Sequence, residues 1–210
     1  MVRYALALLA APVVLAAVPV QMAGAKQTSD SLQQVNAYIR AAKTMTAAFT
    51  QTDRNGQVLS GTLTLKQPGK IRFQYQDDVP LLIIGDGHAL TMIDYEVRQV
   101  QRWPIGNSPL GALLDPDRDL SKYGKVIPSG DPGILMVEAR DPKRPEYGVI
   151  TMIFKRNAHA PAGLELYGWV ALDSQNNRTT IRLSGQRYGV AVADSVFRWK
   201  DPRPKGRPGR

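Results

Sequence analysis

A chain of 210 residues without cysteine can build no disulfide, thiolate metal site or cysteine nucleophile, and it offers only two histidines for acid–base chemistry. Its formal charge is +9, yet much of the excess is terminal, where Lys200, Arg203, Lys205, Arg207 and Arg210 face only Asp201. The length suits one domain that buries a core without cross-links.

At the N-terminus, Arg3 precedes an apolar stretch from Tyr4 to Val20, followed by the small residues Ala23-Gly24-Ala25. That layout predicts a secretory signal peptide over residues 1–25, processed after Ala25. A membrane anchor is the competing reading. The apolar stretch is near the lower length limit for a span, Pro12 and Pro19 interrupt it, and no basic stop-transfer cluster follows. Export without disulfides fits a bacterial periplasm. With no cysteine beside the cleavage site, the chain is not itself lipidated there. Residues 26–200 are then one domain. Residues 201–210, rich in Pro, Gly and basic side chains, are a solvated, flexible tail with an attraction for anionic lipid or an acidic partner.

Ser29-Asp30-Ser31 reads as a helix N-cap, and Leu32, Val35, Ile39 and Ala42 recur at helical spacing as far as about Lys43. From Thr46 the period changes to two. Strand-sized runs lie near 46–53, 58–66, 70–76, 81–85, 89–94, 97–103, 133–139, 148–155, 164–172, 178–187 and 194–199. Leu63 and Leu65 alternate with Thr62, Thr64 and Lys66; after Pro68-Gly69, Ile71, Phe73 and Tyr75 alternate with Arg72, Gln74 and Gln76. Each run has one apolar and one polar face, so together they predict a hairpin with a broad apolar inner surface. Short turns between successive strands predict an antiparallel meander. Between the strands, Asn107-Ser108-Pro109-Leu110-Gly111-Ala112-Leu113-Leu114 carries a Ser cap, an early Pro and three leucines, and residues 117–123 add a further helical turn. Such short helices can close the mouth of a curved sheet.

Motifs for chemistry are scarce. His88 and His159 fall in turns, at no zinc-site spacing. Asp115, Asp117 and Asp119 start like a calcium loop, but Leu120 and Val126 occupy the positions that need Gly and a bidentate Glu. Phosphate-binding glycine loops and a nucleophile elbow are absent. Phe73, Tyr75 and Trp103 alternate with polar residues as core aromatics do, so they make poor base-stacking platforms, and nucleic acid is not an expected partner. No catalytic residue, metal or cofactor is expected.

The 60–75 block, the run Pro80-Leu81-Leu82-Ile83-Ile84-Gly85-Asp86-Gly87, Leu90, Ile93-Asp94-Tyr95 and Asn107-Ser108-Pro109-Leu110 with Leu113-Leu114 follow in order. With Phe49-Thr50-Gln51 before them and Asp194-Ser195-Val196-Phe197-Arg198-Trp199 after, the series resembles the LolA-type outer-membrane lipoprotein carriers of Gram-negative bacteria. The resemblance implies a mainly β fold: an unclosed, strongly curved antiparallel β-barrel, with an N-terminal helix and short lid helices over an apolar cavity. It implies a periplasmic chaperone that takes acylated lipoproteins from an inner-membrane ABC lipoprotein-release complex. Delivery is to the outer membrane, through a receptor lipoprotein where one exists, and the carrier is expected to be monomeric.

The residues suit that task. Burying an acyl chain is worth about 0.8 kcal/mol per methylene, so a holder of lipid in water needs a broad apolar lining. Leu63, Leu65, Ile71, Phe73, Tyr75, Leu90, Met92, Ile150, Met152, Phe154, Leu164 and Leu166 supply inward faces, and Leu110, Leu113 and Leu114 the underside of a lid. Each of these taken singly is also an ordinary core residue. Members of the family often carry Arg just before the Pro of the Lys-x-Pro turn, where it can hydrogen-bond the lid; here that residue is Gln67, so lid contact falls to Gln67 or is shared with Arg72 or Lys70. A lipid- or protein-sensing periplasmic adaptor on the same half-barrel is the alternative.

Overall fold

Period-two alternation makes strands the commonest regular structure among the described residues. The computed structural model describes residues 21–141, 143 and 145–204. Within them, α1 (Gln21–Ala41) leads into β1 (Thr44–Thr52), β2 (Val58–Lys66), β3 (Lys70–Tyr75), β4 (Leu81–Asp86), β5 (Ala89–Asp94) and β6 (Gln99–Pro104). A connecting segment, residues 105–123, contains the 3-10 turns Ile105–Asn107 and Leu120–Lys122 and the one-turn helix α2 (Gly111–Leu114). Then come β7 (Gly124–Ile127), β8 (Ile134–Arg140), β9 (Val149–Arg156), β10 (Leu164–Leu172) and β11 (Arg178–Tyr188).

All eleven strands form one sheet in the order β6-β5-β4-β3-β2-β1-β11-β10-β9-β8-β7. The chain starts at the centre with β1, meanders out to one edge at β6, crosses to the other edge at β7, and meanders back until β11 pairs with β1. The sheet is therefore unclosed. Segment 105–123 is the strap that runs from one free edge to the other.

Alternation decides the faces. Leu63, Ile71, Met152, Phe154, Leu164 and Leu166 are buried on the concave side, together with Leu32, Val35, Tyr38, Ile39 and Ala42 from α1. The Tyr38 ring meets Phe154 edge-on, 5.0 Å between centroids. Helix α1 thus fills the concave side along β7 and β10, and segment 105–123 closes much of the remainder.

Three sequence expectations need correction. First, α1 does not begin at Ser29-Asp30-Ser31; its backbone is helical from Gln21, since nothing in Met22-Ala23-Gly24-Ala25 breaks a helix strongly enough to end one. Second, β7 was not foreseen, because four residues are too few to display a period. Third, residues 194–199 are not a strand: Asp194–Phe197 is a 3-10 turn outside the sheet.

That C-terminal segment lies across the convex face. Thr44 Oγ1 donates to Val190 O at 2.8 Å, Lys66 Nζ to Val192 O at 2.9 Å and Asp194 Oδ1 at 2.8 Å, and Lys70 Nζ to Asp194 Oδ1 at 3.0 Å. Phe197 forms a second apolar cluster with the outward side chains Leu82, Ile84 and Ile93, flanked by Val192, Val196 and Trp199. Residues 1–20 of the expected leader and 205–210 of the expected tail lie outside the described residues.

Candidate functional site

The inner faces of β3 to β6 carry Phe73, Ile83, Leu90 and Trp103, brought together by register: Phe73 is opposite Ile83, and Leu90 opposite Trp103. Facing them across the concave side, Trp169 and Ala171 of β10 adjoin Ile181 of β11, with Trp169 opposite Ile181. The Phe73 and Trp169 rings meet edge-on at 6.1 Å, linking the two walls. Ser108, Pro109 and Leu110 contribute a third side. Between them is a cavity of about 360 Å³, within the range of small-molecule pockets.

Its walls are apolar and its rim is polar. Gln51, Glu146, Tyr147, Asp173, Ser174 and Asn177 stand at the rim. Asn177 accepts a 2.6 Å hydrogen bond from Arg54 Nη1. Hydrogen bonds from Asn177, then from the Gln175 and Asn177 amides, hold the Asp173 carboxyl below its ordinary value, so this carboxylate is occupied by its own turn. Tyr75 donates to Gln51 Oε1 at 2.7 Å, and burial pushes its phenol up. Among the described residues, no group of three His, Asp or Glu side chains converges to hold a metal ion. What this arrangement can do chemically is shelter hydrocarbon.

Of the residues singled out in the sequence, Phe73, Leu90 and Leu110 line the cavity. Leu63, Leu65, Ile71, Tyr75, Leu113, Leu114, Ile150, Met152, Phe154, Leu164 and Leu166 lie in the packed core continuous with it. Met92 is half-buried, on the same face of β5 as Leu90. Ile83, Trp169 and Ile181 were missed as lining residues. Trp169 and Ile181 belong to strand runs and Ile83 to an unbroken apolar run, and which inward side chain stops short of its neighbours depends on register and curvature.

Segment 105–123 is held over this end of the sheet from two sides. Gln67 Nε2 donates to Leu113 O at 3.0 Å, and Gly69 N donates to Leu114 O at 2.9 Å. Gly69 has φ +70°, and a Cβ there would come within 2.6 Å of Gly87 Cα, so only glycine fits this turn. From α1, the buried Asn36 donates to Asp119 Oδ1 at 2.9 Å and accepts from Leu120 N at 3.0 Å. Asp119 Oδ1 also accepts from Ser121 N at 3.0 Å and so caps its own turn. Arg72 does not reach the segment. As the polar partner of Ile71 and Phe73 it points to the convex face, where its guanidinium donates to Val196 O at 2.9 Å and Arg198 O at 3.3 Å. Lys70 likewise serves Asp194.

The fold and site together define an unclosed β half-barrel with an apolar pocket between its walls. The sequence profile of the outer membrane lipoprotein carrier protein LolA matches residues 40–200, most of the chain. An outer-membrane lipoprotein carrier protein of Chromobacterium violaceum is 32% identical over 197 residues, covering 90% of this chain and 91% of that one. Its counterpart in Dechloromonas aromatica is 30% identical over 182 residues, covering 82% and 84%. The fold alone is shared with a DUF1329 family protein from Desulfovibrio piger, at TM-score 0.51 and 12% identity over 82% of this chain and 96% of that one. The chain belongs to the LolA family of outer membrane lipoprotein carrier proteins.

Proposed function

We propose that the protein is a periplasmic chaperone that holds the acyl chains of lipoproteins between the inner and outer membranes, without catalysis. The observation that carries this reading is an apolar pocket beneath a segment that spans the two free edges of an open sheet. Burying a long acyl chain is worth on the order of 10 kcal/mol, so lipidated cargo does not cross water unprotected. The walls are mostly aliphatic and aromatic side chains, with the carboxylates Glu146 and Asp173 at the rim, a lining suited to hydrocarbon.

A pocket of about 360 Å³ is small for several acyl chains. Cargo entry therefore requires residues 105–123 to lift, withdrawing Leu110, Leu113 and Leu114 and exposing the core face behind them. An inner-membrane ABC release complex would hand cargo over, and a receptor lipoprotein in the outer membrane would accept it. Processing after Ala25 would free the carrier into the periplasm.

The test is incubation of the protein with spheroplasts. Lipoprotein should appear in the supernatant as a soluble one-to-one complex. Lipoprotein that stays with the membranes, while the protein still binds free lipid, would point instead to an adaptor.

A further inference from the structure

We infer that Arg118 and Asp141 form a charged latch that holds segment 105–123 closed over the pocket, opposite the neutral latch at Gln67. The inference rests on the carrier reading, in which this segment must move. Gln67 and Gly69 fasten the segment to the β2–β3 side only, through uncharged hydrogen bonds. Arg118, within the segment, reaches the other wall: its Nη2 lies 3.5 Å from Asp141 Oδ2, on the chain leaving β8.

Three contacts converge on this one guanidinium. Asp141 supplies charge, the Tyr123 ring lies 4.8 Å beneath it, and Gly111 opens α2 against it. A Cβ at Gly111 would come within 2.9 Å of Arg118 Nη1, so the absence of a side chain there is what lets the guanidinium sit against the first residue of the helix. An isolated surface ion pair contributes little. This one is only 23% and 28% exposed and couples the position of α2 to β8.

The closed position also carries a counterweight. The Tyr123 hydroxyl is buried and has no hydrogen-bond partner among the described residues. A dry, unpartnered hydroxyl disfavours the state that contains it, and lifting the segment returns it to water. Arg118 and Asp141 therefore hold shut a cover that Tyr123 biases toward opening.

Stopped-flow uptake and release of a fluorescent long-chain fatty acid tests the latch, with melting temperature measured for every variant. Asp141→Asn should speed both rates roughly two- to fivefold and remove their dependence on salt. Asp141→Glu should stay near the parent rate, and Tyr123→Phe should slow both steps. Phe197→Ala, in the remote convex cluster, controls for general loosening. Parent-like rates and salt response in Asp141→Asn would overturn the latch, as would equal acceleration by Phe197→Ala. If the parent protein takes up no probe, the carrier reading fails instead. The latch is then read from hydrogen exchange of the 111–122 amides, where Asp141→Asn must raise and Tyr123→Phe lower the rate, and the absence of that order overturns it.

Discussion

Gln67 shows how one side chain can divide stability from motion. Its amide makes one hydrogen bond to Leu113 O and accepts another, at 3.3 Å, from Gly69 N. A net hydrogen bond is worth about 1 kcal/mol, so Gln67→Ala should release a fluorescent fatty acid roughly fivefold faster with little change in melting temperature. Gln67→Arg adds charge and a five-donor fork and should slow release. Equal uptake and release rates in the Gln and Arg forms would refute a role for this position in opening. The two tryptophans of the pocket separate in the same way. Trp169 is 2% exposed and bridges both walls, so Trp169→Ala should cost about 3–5 kcal/mol in denaturant unfolding. Trp103 is half-buried on the edge strand β6, and Trp103→Ala should weaken probe affinity more than stability.

Among the elements, the C-terminal strap departs furthest from sequence expectation. Val196, Phe197 and Trp199 do form an apolar run, but they bury it by docking on a sheet face instead of joining the sheet. The clue lies in β4, where Leu81, Leu82, Ile83 and Ile84 run without alternation. A strand covered on both faces reads that way, so something had to cover the outside. Hydrogen bonds from Lys66 and then Lys70 hold the Asp194 carboxyl down to about 2, against an ordinary 3.8. A carboxylate with a depressed value favours the folded state above its ordinary pKa and loses that contribution as pH falls through the folded one. The C-terminal segment around Asp194 should therefore loosen between pH 3.8 and about 2, followed by Trp199 fluorescence, and high salt should weaken the effect since the pair is exposed. Asp194→Asn should remove this acid-range transition.

For the molecule as a whole, the central fact is that both ends of the sheet are free and one segment bridges them. Strand β1 pairs along its length with β2 and β11, whereas residues 105–123 are tied by a few side-chain and turn bonds. Amides of the bridging segment should thus exchange with solvent well before those of β1 and β11, and bound lipid should shift their protection. Uniform protection across both regions would contradict a moving cover. The strand-by-strand meander, the apolar inner faces and the shortage of catalytic groups were set by local alternation and residue type, which act over a few neighbours in the chain. Helix α1 starts before Ser29 and Ser31 because such residues can cap a helix but need not when the preceding residues also favour one. Tertiary structure alone decided where the hollow lies, that Arg72 turns outward to the C-terminal strap, and that Arg118 meets Asp141. Those outcomes depend on sheet curvature and on segments distant in sequence competing for the same surface, and neither appears in any local pattern.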